Sequence, residues 1–340
     1  MSNNVMADIE KRLLEYFQEN YPHRSGLEIK LISMNQGWET ELKKINMKYK
    51  IDNENYHESI VIRIYPDIYG EEKAKKEYHL MRSLDSIGYP VPEVYHLETT
   101  GKVIGRPFIT MEYVQGDVLA EIITNQKEYN KILAMMELLV KLHETDPRFV
   151  YPNRPLPTSK EAIERYLKYQ QKYLEETKNT MLMPVSKWIE ERMDKIIMTR
   201  PCLIHGDYHA NNILISDNGE MTVIDWGAAT LGDPREDLSW TILLHTIYDN
   251  QESGAALLEA YRDLSPRPVN NLDFFMVTTL IRRLVDLLAS LHSGSETKGM
   301  REVTVELMRN DKESYLKAYN ILRDITGLQL DELHSFLTHI

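Results

Sequence analysis

The apolar periodicity of this 340-residue chain changes once, near Val114–Val118. Before that point apolar residues fall in short, β-branched or alternating runs cut by turn residues; after it they recur every three to four positions. A period near two demands strands and a period near 3.6 demands helices. The chain is therefore expected to divide into a sheet-rich N-terminal part, 1–114, and a mostly helical C-terminal part, 115–340. In the first part Leu27–Met34, Thr40–Ile51, Ser59–Tyr65, Glu93–Glu98 and Pro107–Val114 read as strands, and Glu71–Ile87 as the main helix. Asp52-Asn53-Glu54-Asn55 reads as turn chemistry, and Gly88, Pro90 and Pro92 as helix stop signals. The order is β-β-β-α-β-β. Leu13, Leu14 and Phe17 mark one face of a further amphipathic helix at the N-terminus.

The second part reads as helices over Tyr129–His143, Lys160–Glu176, Val185–Met198, Asp237–Tyr248, Ala255–Leu264, Leu272–His292 and Val303–Ile325. An island of three short strands interrupts them, at Pro201–Ile204, Asn212–Ile215 and Met221–Ile224. The fold class implied is α+β and two-lobed. The single cysteine, Cys202, excludes an intrachain disulfide or a cysteine-cluster metal site and suits the cytoplasm. The two longest apolar windows are too short to span a bilayer or are broken by Arg282, Arg283 and Asp286, and the N-terminus lacks an uncharged apolar core of signal-peptide length. A formal charge of -12 with no basic block argues against nucleic acid as a partner. It weakly favours neutral or cationic small molecules.

Chemistry concentrates in Cys202–Asp237, CLIHGDYHANNILISDNGEMTVIDWGAATLGDPRED. His205-Gly206-Asp207 is followed, after four residues, by Asn212; then come a strand, a turn, a strand, and Asp225-Trp226-Gly227. The two strands would carry Asn212 and Asp225 to one end of a hairpin. One amide oxygen and one carboxylate there suit a hard cation such as Mg²⁺, which completes its shell with water and phosphate. Asp207 is placed to accept a hydroxyl proton beside a transferred phosphoryl group. Each tripeptide alone could be an ordinary polar turn, and Asp217-Asn218-Gly219 is assigned nothing more. The joint pattern, each part in its expected strand or loop, is far more specific.

HGDYHANNIL…VIDWGAATLGDPREDLSW resembles the phosphotransferase motif of the aminoglycoside phosphotransferase and choline kinase-like superfamily, which shares the protein-kinase fold. VIRIYP, KKEYHLMRSLDSIGYPVPEVY, PFITMEYVQGDVL and LVKLHETDP follow in the family's order. The resemblance implies a bilobal fold, with a nucleotide-binding N-terminal lobe and a helical lobe that carries the catalytic loop, metal site and acceptor pocket. It implies Asp207 as catalytic base, Asn212 and Asp225 as metal ligands, and ATP (or GTP) with Mg²⁺ as cofactors. His205 would support the loop; His209 is left open between substrate contact and plain exposure.

In the N-terminal lobe a nucleotide kinase needs a cation over the phosphates and an acid to orient it. Arg63 in VIRIY stands where protein kinases carry Lys, and its fork can hold two phosphate oxygens. Glu77 is the better match for its acidic partner and Glu72 the competitor. In Asn35–Thr40, Gly37 would let backbone approach a phosphate and Thr40 could donate to it, although a plain hairpin turn is an equal reading. By resemblance, backbone groups of Glu112 and Val114 would meet the purine edge.

Only Ala228–Leu231 separates Asp225-Trp226-Gly227 from Gly232-Asp233-Pro234, too few residues for a protein-kinase activation segment. Asp233 reads as a turn residue and Asp237 as the N-cap of the next helix. The expectation is a phosphotransferase acting on a hydroxyl of a small molecule, an aminoglycoside or another amino/hydroxyl metabolite. The alternatives are a catalytically inactive nucleotide-binding module and, less favoured, a protein kinase.

Overall fold

The structure is a computed structural model that describes residues 3–34, 40–66, 69–126, 129–153, 155–176, 180–197, 199–293 and 302–340. It divides into two compact units, Met1–Gln115 and Gly116–Ile340.

The first unit contains helix α1 (Asn3–Asn20), strands β1 (Ser25–Met34), β2 (Glu41–Ile51) and β3 (Glu54–Ile64), helix α2 (Gly70–Ser86), and strands β4 (Val94–Glu98) and β5 (Phe108–Glu112). The strands form one antiparallel sheet in the order β1-β2-β3-β5-β4. Alternation along β2 and β3 sends Ile45, Met47, Ile60, Ile62 and Ile64 to the face covered by Ile9, Leu13 and Phe17 of α1. Arg63, between Ile62 and Ile64, must then lie on the opposite face, and its cross-strand partner is Leu42.

Strand β3 begins at Glu54 rather than near Ser59, because the hairpin turn is only Asp52 and Asn53, at φ 51° and 69°. Two left-handed residues make a type I′ turn, which keeps the ladder in register from Ile51↔Glu54 onward through a polar outer stretch. Hydrophobicity marked only the buried half of that strand. Helix α2 closes as expected: Gly88, at φ 71°, donates to Asp85 O and Tyr89 N donates to Leu84 O.

The second unit opens with β6 (Asp117–Val118) and α3 (Leu119–Gln126), which the periodicity did not show, followed by α4 (Tyr129–Glu144), α5 (Ser159–Glu176) and α6 (Met183–Met193). Helix α6 ends five residues early because its last turn tightens into Lys195 N→Arg192 O and Ile196 N→Met193 O bonds. The strand island is β7 (Cys202–Ile204), β8 (Ile213–Ile215), β9 (Met221–Val223) and β10 (Thr230–Gly232). Strands β6-β8-β9 form one small sheet and β10 pairs with β7. Helices α7 (Pro234–Tyr248), α8 (Gln251–Leu264), α9 (Leu272–Ser293), α10 (Glu302–Asn310), α11 (Lys312–Thr326) and α12 (Asp331–His339) complete it.

The core of this unit is built on α7 and α9, where Leu243, Ile247, Phe275, Leu280, Ile281 and Leu284 are buried together. The expected single helix over Val303–Ile325 is broken at Asp311, whose carboxylate accepts from Tyr248 Oη at 2.5 Å and Arg283 NH2 at 3.1 Å. The expected N-cap at Asp237 is also corrected. Helix α7 starts three residues earlier, because Asp233-Pro234-Arg235-Glu236 forms a capping box with proline in the first turn. The Arg235 guanidinium is 2% exposed and donates to Asp233, Asn270 O and Ile197 O, tying the start of α7 to two loops. Among the described residues no helix is long and apolar enough to cross a membrane.

Candidate active site

The hairpin β8–β9 pairs Ile213 with Val223, and Ile224 N donates to Asn212 O at 2.9 Å. Asn212 and Ile224 are therefore opposite one another, and Asp225 is the next residue at the same end. Asp225 adopts φ 65°, ψ 63°, a left-handed backbone that costs a non-glycine residue about 1 kcal/mol and turns the chain sharply out of the strand. The Asn212 amide nitrogen donates to Asp207 O at 2.8 Å and lies 3.2 Å from Asp207 Oδ2. With its nitrogen turned toward Asp207, the carbonyl oxygen of Asn212 is the atom left to face a cation. That oxygen and the Asp225 carboxylate are both hard donors, a two-residue set that fits magnesium bound jointly with phosphate. Among the described residues no group of three or more His, Cys, Asp or Glu could hold a metal by itself.

The loop between β7 and β8 is held residue by residue. Asp237 accepts from His205 N and Gly206 N, each at 2.7 Å. Asp237 is 1% exposed, and His143 Nε2 lies 3.3 Å from the same carboxylate. Gly206 sits at φ 79°, and a Cβ there would lie 2.7 Å from Ala228 O, so glycine is required by both backbone and space. Thr241 Oγ1 donates to Tyr208 O at 2.7 Å, and Tyr208 Oη to Met135 O at 2.6 Å.

His205 is wholly buried. Its Nδ1 accepts from Asp207 N at 3.2 Å, which leaves the proton on Nε2 to donate to Ile224 O at 3.0 Å. Burial pushes its pKa below the usual histidine value, against the opposing charges of Asp237, Asp207 and Asp225, so the ring is a neutral strut joining the loop to the hairpin.

The Asp207 side chain is 31% exposed. Burial pushes its carboxyl up, but the His209 contact and the charges of His209 and Arg282 outweigh burial and hold it well below the ordinary aspartate range. It is a carboxylate at neutral pH. Trp240 Nε1 donates to Oδ1 at 2.7 Å, and His209 Nε2 lies 3.4 Å from the same oxygen. Arg282 stacks 4.2 Å over the Trp240 ring and donates to Gly206 O at 2.6 Å.

In the first unit, Arg63 NH1 donates to Glu77 Oε1 at 2.8 Å, its Nε donates to Thr40 Oγ1 at 3.0 Å, and Tyr65 Oη donates to Glu77 Oε2 at 2.7 Å. The Arg63 and Glu77 side chains are 8% and 2% exposed. The acid paired with Arg63 is Glu77, and Glu72 is exposed on α2. Glu112 closes β5 and its N–H donates to Glu93 O at 2.8 Å; Val114 lies just beyond that strand. Gly37 falls outside the described residues.

Five contributors were not singled out from the sequence: Tyr65, His143, Trp240, Thr241 and Arg282. Tyr65 shares a strand face with Arg63 at i+2. Asp237, Trp240 and Thr241 share one face of α7, so that spacing carried a signal. Arg282, a charge inside an apolar helix, was a further one.

Against known proteins, the family described as Phosphotransferase enzyme family (APH) matches residues 43–268. Curated relatives include acyl-CoA dehydrogenase family member 10 of Mus musculus, 23% identical over 237 residues, covering 61% of this chain and 22% of that protein. Family member 11 of Rattus norvegicus is 24% identical over 289 residues, 76% of this chain and 35% of that one. The chain thus spans only a minor part of these longer relatives. Among solved structures, a thermostable mutant of aminoglycoside phosphotransferase APH(4)-Ia in ternary complex with ADP and hygromycin B superposes with a TM-score of 0.60 at 15% identity, covering 93% of this chain and 98% of that one. The macrolide 2'-phosphotransferase MphH of Brachybacterium faecium gives 0.57 at 16% identity, over 84% and 96%. These neighbours share the bilobal protein-kinase-like fold of the aminoglycoside phosphotransferases. The sequence match, which spans β3 to β5, the loop carrying Asp207 and the hairpin described above, makes this chain a member of the phosphotransferase enzyme family.

Proposed function

We propose that the protein transfers the γ-phosphoryl group of ATP or GTP to a hydroxyl of a small molecule, with Asp207 as the base. The observation that carries this reading is the ionised, partly exposed Asp207 carboxylate bonded to Asn212, which flanks the same end of the hairpin as Asp225. Asn212 and Asp225 would hold Mg²⁺. When bound, the ion neutralises and orients the phosphate oxygens. Arg63, oriented by Glu77 and Thr40, would offer its guanidinium to nucleotide phosphates, with Gly37 contributing backbone approach. Glu112 and Val114 would offer backbone groups to the purine.

In the reaction Asp207 receives the proton of the acceptor hydroxyl as that oxygen bonds to phosphorus, and the nucleoside diphosphate departs with the bridging oxygen. Catalysis is then mainly positioning and charge neutralisation, with no covalent intermediate on the protein.

A small acceptor is favoured over a protein because β10 and the capping box of α7 follow the Asp225 turn at once. Neighbours solved with hygromycin B or kanamycin support an aminoglycoside or another amino/hydroxyl metabolite as the acceptor. The same neighbours carry ADP or GDP, which supports either purine nucleotide.

The test is nucleotide consumption over a panel of hydroxyl acceptors, beside a thermal shift with ATP or GTP and Mg²⁺. Asp207→Ala should abolish transfer and leave the nucleotide shift intact. Near-normal turnover in that variant would remove Asp207 from the base role. Nucleotide binding without transfer across the panel would favour a non-catalytic module.

A further inference from the structure

We infer that Trp240 is a positioning residue for Asp207, its indole N–H occupying Oδ1 so that Oδ2 is the oxygen presented to the acceptor hydroxyl. This rests on the reading of Asp207 as the base and adds which of its oxygens works and what aims it.

The two oxygens of Asp207 are unequal. Oδ1 takes the indole N–H at 2.7 Å and has His209 Nε2 at 3.4 Å, whereas Oδ2 has one longer contact, Asn212 Nδ2 at 3.2 Å. A short bond from a neutral donor to a carboxylate fixes the side-chain rotamer, and it spends the lone pair that a second orientation would use. The donor is itself immobilised. Trp240 is 8% exposed, and the Arg282 guanidinium stacks 4.2 Å over its ring. The same guanidinium donates to Gly206 O at 2.6 Å. Gly206, Asp207, Trp240 and Arg282 thus close a ring of contacts around the side chain. Trp240 lies three residues after Asp237, so a single face of α7 grips the loop backbone with one side chain and its carboxylate with the next.

A rival role is that the indole forms a wall for the acceptor. The two roles predict different kinetics. If Trp240 aims the base, Trp240→Phe keeps an aromatic ring at the position and removes the donor, so kcat falls about tenfold, the worth of one hydrogen bond to a charged group, while both KM values stay within about twofold. If it is only a wall, acceptor KM rises and kcat is unchanged, which overturns the inference.

A second measurement needs no turnover. The chain has four tryptophans, hence four indole N–H resonances in a ¹⁵N spectrum, and the one missing from Trp240→Phe belongs to Trp240. In Asp207→Asn that resonance should move upfield, because its acceptor has lost its charge. A resonance left in place overturns the contact. If no acceptor is ever phosphorylated, the functional reading fails while this shift still decides whether the indole holds Asp207. Should Trp240→Phe fail to fold, assigning the resonance by elimination with Trp38→Phe, Trp188→Phe and Trp226→Phe keeps the second test available.

Discussion

Asp237 accepts the backbone N–H groups of His205 and Gly206 together, each at 2.7 Å, from a position in which its own carboxylate is 1% exposed. The loop that carries Asp207 is therefore hung on a helix side chain. Asp237→Ala leaves two buried donors without an acceptor and strips His143 of a partner. The expected cost is about 2–4 kcal/mol, read as a lower urea midpoint, with transfer lost even in the folded fraction. Wild-type stability in this variant would mean that the loop holds its shape unaided.

The Arg63–Glu77 pair predicts a separable effect. Glu77→Ala leaves a buried guanidinium without its carboxylate and should destabilise the protein by about 3 kcal/mol. Arg63→Lys keeps the charge but loses the fork that reaches Thr40 and Glu77 at once. Nucleotide affinity should fall about tenfold by calorimetry, a loss near 1.4 kcal/mol. Unchanged affinity would argue that Arg63 serves only the packing between β3 and α2.

Two groups near the loop give stability opposite dependences on pH. Burial pushes Glu236 up to about 7, with Asp233 and Asp237 adding and the Asp233 N–H and Arg282 opposing. Its folded pKa exceeds its unfolded value, so its contribution is complete at low pH and is lost as pH rises through about 7. Burial, aided by His209 and opposed by Asp249, lowers His245 to about 4. Its folded pKa lies below the unfolded one, so its contribution is present above the usual histidine range and is lost as pH falls toward about 4. Glu236→Gln retains the capping geometry and should flatten the decline in urea midpoint from pH 5 to 8. His245→Gln should flatten the decline on the acid side. A slope unchanged in either window refutes the corresponding assignment.

Gly206 and Gly219 make a controlled pair. Both have positive φ, 79° and 85°, but a Cβ on Gly206 would meet Ala228 O at 2.7 Å, whereas one on Gly219 meets nothing within 4 Å. Gly219→Ala should cost about 1 kcal/mol from the backbone alone. Gly206→Ala adds a clash with rigid backbone, for a total of about 2–4 kcal/mol and loss of transfer. Equal costs, measured by thermal unfolding, would show that the loop yields to make room.

Much of this was legible in order along the chain. Periodicity located the strands of the first unit, the hairpin β8–β9 and most of the helices, because burial of one face imposes a period on any sequence. The type I′ turn at Asp52 and Asn53 and the capping box at Asp233 were misplaced by a few residues. Local chemistry there competes with hydrophobic pattern, and only hydrogen-bond geometry shows which wins. The two-residue strand β6 is too short to have a period at all.

The sequence alone determined that Asp207, Asn212 and Asp225 lie within one short stretch, and a single hairpin register brings the latter two to the same end. The tertiary structure decided what holds them. Asp237, Trp240, Thr241 and Arg282 reach the loop carrying Asp207 from helices 31 to 76 residues further along the chain. Glu77 rather than Glu72 meets Arg63 because only one of the two faces β3. Contacts of that kind depend on how faces are packed in three dimensions, and a linear pattern of polar and apolar residues does not encode which charged side chain finds which partner.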